Sequence, residues 1–111
     1  MPVSQRPDPA GTVSLQGTGV TSGELVLAEQ SNTFIPGWNA IFTRQPIADD
    51  ARLIITLADE DVVLDDSIGT VTIDSGVLRG VAAVGQAAGV PVSHQGQHQI
   101  AFVVLTVRPA R

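Results

Sequence analysis

The chain has 111 residues, 43% of them hydrophobic and 15% charged, and a net charge of −5 from 11 acidic residues against six arginines and no lysine. That length suffices for one hydrophobic core and leaves no room for a second catalytic domain, while the sparse cationic charge argues against a nucleic-acid footprint and favours a cation or a basic partner. The absence of cysteine excludes disulfides, thiolate catalysis and thiolate metal sites, and no apolar run is long enough for a membrane span or a signal-peptide core.

The expectation from these properties is a soluble domain, of the kind carried by secreted or cell-envelope proteins, with the compartment itself left open. Residues 1–7 begin it as a proline-bearing extended arm, and residues 8–108 form the domain. TVSLQ at 12–16 alternates weakly and reads as a first strand, ended by Gly17 and Gly19. GELVLAEQ at 23–30 has the apolar content of a strand and is too short for a self-supporting helix. After the turn at Ile35-Pro36-Gly37, Trp38, Ala40 and Phe42 share one face at period two, which predicts a strand with both aromatics in the core and Pro46 at its end. Asn39 is expected to brace the local backbone.

Asp49 and Asp50 fall in a loop, and ARLIITLAD at 51–59 is the most insistent strand, with Leu53, Ile55 and Leu57 directed into the core. A polar loop follows, and IGTVTID at 68–74 re-enters a strand carried by Ile68, Val71 and Ile73. The alanine-rich stretch 77–89 predicts a short helix, packed through Leu78, Val81, Ala82 and Ala88. IAFVVLTV at 100–107 is nearly continuous in apolar side chains, as a central strand is, and Pro109 ends it. Branched aliphatic residues outnumber aromatics, so the core is thin. Together the elements predict an all-β antiparallel sandwich of six or seven strands with a short helix before the last.

The concentrated chemistry is the group Asp59, Asp61, Asp65 and Asp66. Asp59 and Asp61 leave a strong strand one residue apart, so their carboxylates share a side if the extended geometry continues. Like charges this close oppose one another unless a hard cation joins them, and calcium takes about six to eight oxygens from irregular loops. The competing reading is a solvated acidic turn. Val62, Val63 and Leu64 form an apolar tip between the acidic groups, a membrane or partner contact once a cation screens the charge, or else packing beneath the loop. His94 and His98 are separated by a glycine that undermines a helical metal pair. No serine sits in a nucleophile-elbow motif, and the glycines form neither a P-loop nor a dinucleotide fingerprint. The expectation is therefore no enzyme.

Three segments occur in an order that resembles C2 domains: PGWNAIF at 36–42 is similar to their P-x-W-N-x-x-F stretch, LIITLADED at 53–61 to their strand ending in D-x-D, and DSIG at 66–69 to their D-x-x-G strand entrance. Asp8-Pro9 also resembles the start of their second strand, so the likeness covers roughly residues 7–74, and the terminal strand carries it to about 107. The resemblance implies a C2-like antiparallel β-sandwich, a reduced or truncated bacterial-type relative. It further implies Ca2+ held by Asp8, Asp59, Asp61 and Asp66, with Asp65 as a neighbouring substitute, and contact with a protein partner or an anionic phospholipid surface through Val62, Val63 and Leu64. This sequence departs from the pattern in two ways: the interval from Asp61 to Asp66 is short, and no first strand precedes Asp8. The second departure leaves an edge for a missing strand or a second chain to cover, and a homo-oligomer is one form that covering takes. The alternative function is a calcium-independent structural or assembly domain that pairs through an exposed edge or an acidic face.

Overall fold

A computed structural model of the chain describes residues 8–21, 23–31, 33, 36–59, 66–91 and 102–108. Within them the fold is antiparallel β in two sheets, with one short helix ahead of the last two strands. The strands are β1 (Pro9–Gln16), β2 (Glu24–Leu27), β3 (Arg52–Asp59), β4 (Asp66–Asp74), β5 (Ala88–Pro91) and β6 (Phe102–Leu105), and α1 (Ser75–Val84) lies between β4 and β5. The larger sheet has the order β2-β1-β3-β4, and β5 pairs with β6 in the smaller one.

Alternation fixes the faces of the large sheet. Val13 and Leu15 on β1, Leu57 on β3 and Val71 and Ile73 on β4 are buried, while Thr56, Thr70 and Thr72 on the other face are exposed. Leu53 and Ile55 are half-buried against the same cluster. Ile68 is three residues from Val71, so strict period two would place them on opposite faces, yet both are buried. A β-bulge resolves the conflict: Leu57 pairs with Gly69 and Ala58 with Ser67, which leaves Ile68 as the extra residue. Gly69 there adopts a φ of 148°, a conformation open to glycine at little cost. Gly11 lets β1 approach β3, since a Cβ at this position would stand 1.8 Å from the Thr56 carbonyl oxygen.

Asp74 caps α1, its carboxylate accepting the Val77 amide at 3.0 Å, and Gly85 ends the helix in the left-handed region at φ 76°. Leu78 and Val81 bury the helix against the sheet. The helix is therefore shorter than the 77–89 expected, because Gly85 stops it and residues 88–91 become β5. The smaller sheet covers the core through Val103 and Leu105, joined by Val107 just past β6, all of which pack against the cluster, while Val104 is 60% exposed. β6 is accordingly not the central strand that its apolar run suggested: among the described residues it pairs with β5 alone.

The segment from Pro36 to Ala48 contains no strand, which corrects the expectation for Trp38–Phe42. The alternation does not hold either, because Ala40 is exposed; Trp38, Phe42 and Ile47 sit half-buried against the cluster without a ladder, and the Trp38 indole N–H donates to the Ala28 carbonyl at 2.7 Å. Asn39 is exposed and, among the described residues, its side chain forms no bond to the backbone around it. His94, His98 and the arm 1–7 lie outside the described residues.

Candidate functional site

Antiparallel registry gathers acidic positions at one end of the large sheet. Pro9, immediately after Asp8, pairs with Asp59, and Asp59 pairs with Asp66 on its other side. Asp8, Asp59 and Asp66 are thus brought to neighbouring strand ends although 58 residues of sequence separate the first from the last. The cause is local to each strand. β1 starts where the pyrrolidine of Pro9, fully buried, fixes φ, and β3 and β4 form a hairpin whose paired termini are Asp59 and Asp66.

Asp59 is half-buried, and its Oδ1 accepts the Asp8 amide at 2.8 Å. One carboxylate oxygen is thereby oriented by backbone. Asp61, Asp65, the apolar tip Val62, Val63 and Leu64, and the side chain of Asp66 lie outside the described residues. Among the described residues no group of three or more His, Cys, Asp or Glu is arranged to hold a metal. Asp8 and Asp59 together offer at most about four carboxylate oxygens, short of the roughly six to eight that calcium takes. The described residues alone do not make a calcium shell.

The other aspartates have structural partners that sequence reasoning did not assign. Asp49, Asp50, Ala51, Arg52 and Asp74 line a shallow, open depression of about 320 Å³. Each of its carboxylates is engaged. Asp49 pairs with Arg79 at 2.7 Å, and Asp74 serves as the helix cap. Asp50 accepts the Thr18 amide at 3.0 Å and the Thr18 hydroxyl at 2.8 Å. The Thr18 backbone bond, then its hydroxyl bond, and Arg52 more weakly, hold the Asp50 carboxyl below its ordinary value. No acid-base pair faces the depression, and the only sequence signal for these roles was the placement of Asp49 and Asp50 in a turn ahead of a strong strand.

Among the described residues no helix is long and apolar enough to cross a membrane. Comparisons of the chain with protein-family models, with curated proteins and with solved structures find no match.

Proposed function

We propose that the chain is a noncatalytic, C2-like recognition module in which calcium at the acidic end of the large sheet organises contact with a protein partner or an anionic membrane surface. The observation that carries this reading is the registry placing Asp8-Pro9, Asp59 and Asp66 side by side on three adjacent strands. Asp61 and Asp65 follow on the connection between β3 and β4, so further carboxylates are within a few residues of that end. A cation there offsets the repulsion among like charges and reverses the local sign, and the tip Val62, Val63 and Leu64 on the same connection becomes the apolar contact.

The test is calorimetric titration of calcium into metal-free protein, comparing the parent with Asp59→Asn, Asp61→Asn and Asp49→Asn at one pH and ionic strength. The reading expects saturable, stoichiometric binding that weakens in the first two variants and persists in the third, whose Asp49 pairs with Arg79 at the opposite end of β3 and β4 from Asp59 and Asp66. Equal binding by all variants, or none by the parent at millimolar calcium, overturns it in favour of a calcium-independent assembly domain. The Asp8–Asp59 bond is the observation favouring that second reading, because it gives Asp59 a structural role without any cation. Edge pairing draws less support: β2 is only four residues long and β4 carries a bulge, both features that blunt sheet edges.

A further inference from the structure

The backbone from Asn39 to Arg44 runs over the outside of the apolar core without a backbone hydrogen bond to any other element among the described residues. Two attachments flank it. Before it, the Gln30 side chain grips Gly37 from both sides, accepting its N–H and donating to its carbonyl, and Trp38 follows with one bond of its own, its indole N–H donating to the Ala28 carbonyl. At its end, Gln45 reaches across to the β1–β2 turn, where Oε1 accepts the Thr21 amide at 2.9 Å, while its Nε2 donates to the Thr43 carbonyl at 3.1 Å.

Between the Gly37 and Gln45 attachments only Trp38 and Phe42 reach the cluster, both half-buried, and Ile41 is 61% exposed. Arg44, beside the Gln45 attachment, has a φ of 56°, a left-handed conformation that costs a non-glycine residue energy and persists only where neighbouring contacts enforce it. Beyond Gln45 the chain is secured twice more, through Asp50 to Thr18 and through the Ile47 and Asp49 carbonyls to Arg79 and Ser75.

We infer that residues 38–44 form a flap, latched by Gln45 and swinging open from the core while the four-stranded sheet stays folded. Segments held by few bonds and partial burial open at free energies below that of global unfolding. The sheet, with continuous ladders through β1, β3 and β4, does not share that weakness. Opening lifts Trp38 and Phe42 from the cluster, relaxes Arg44 and uncovers the part of the core that these two side chains cover, while α1 and the residues around β6 keep covering the rest.

The chain has a single tryptophan, whose indole hydrogen reports the flap in one resolved signal. Hydrogen exchange by NMR in the parent protein and in Gln45→Ala, followed at the Trp38 indole and at the β3 ladder amides, tests the inference. Expected is a lower protection factor at the indole than in β3, and a further fall on the order of tenfold in the variant as the latch bond is lost, with β3 protection unchanged. Unchanged β3 protection also shows that the variant is folded. Indole protection equal to that of β3 in the parent, or an indole unaffected by Gln45→Ala, or β3 falling in parallel with it, overturns the inference.

Discussion

The backbone N–H of Asp8 donates to Oδ1 of Asp59 at 2.8 Å, a bond between residues 51 apart in sequence that joins the residue ahead of β1 to the last residue of β3. It secures the entry of the chain into the sheet at the same end where Asp59 pairs with Asp66. Asp59→Ala leaves this amide without its acceptor and is expected to lower stability by about 1 kcal/mol. Asp59→Asn retains a carbonyl acceptor and is expected to lose less. Urea unfolding of both variants checks the order. A smaller loss for alanine than for asparagine contradicts the bond's contribution.

Two glycines are expected to respond in opposite directions to the same change. Gly11→Ala drives a Cβ to 1.8 Å from the Thr56 carbonyl oxygen, which is backbone and cannot turn aside; the separation of β1 from β3 must grow, at a cost of about 3 kcal/mol or more. Gly80, inside α1, has nothing within 4 Å of its virtual Cβ, so Gly80→Ala is expected to stabilise by roughly 0.5–1 kcal/mol. Midpoints of urea unfolding give both values, and a loss of stability in Gly80→Ala rules out the helical assignment of that residue.

Asp50 gives a pH-dependent contribution whose sign follows from its lowered pKa. The Thr18 bonds hold the folded-state value below the ordinary carboxylate value of 3.8, so its stabilisation is fully present above that value and is lost as pH falls through the folded-state pKa. Asp50→Asn is therefore expected to be less stable than the parent near neutral pH, with the gap closing in the acid range below 3.8. Unfolding midpoints measured from pH 6 down to about pH 2 test this. A gap that widens on acidification refutes it.

Trp38→Ala removes a half-buried indole and its bond to the Ala28 carbonyl. Partial exposure places the expected loss at about 2–3 kcal/mol, below the cost of deleting a fully buried aromatic. Trp38→Phe retains most of the packing and loses the bond, for about 1 kcal/mol. Equilibrium unfolding followed by far-UV circular dichroism serves both variants, since the change itself removes the fluorescence signal. Wild-type stability in Trp38→Ala removes this residue from the core.

Local patterning determined much of the framework. The strands at 12–16, 51–59 and 68–74 and the helical stretch beginning near residue 77 were legible because their apolar spacing matches the period of one element, and Gly17, Gly19 and the aspartates that follow mark their ends. The same spacing misled at Trp38, Ala40 and Phe42. Trp38 and Phe42 do face the core, but Ala40 between them is exposed, and among the described residues no neighbouring backbone supplies the ladder that would hold the three to period two. The final apolar run was misleading for a related reason: hydrophobicity predicts burial, whereas the position of a strand within a sheet depends on its partners.

What the sequence determined by itself is the period of each strand, the stops at glycine and proline, and an excess of aspartate between two strong strands, all of which follow from side-chain chemistry within a few residues. Tertiary structure alone decided that Asp8 meets Asp59, that a bulge brings Ile68 and Val71 to one face, and that Asp49, Asp50 and Asp74 are occupied by Arg79, Thr18 and a helix end. Those outcomes depend on register between distant strands, which is set by the packing of all faces at once, and no single stretch of chain encodes it.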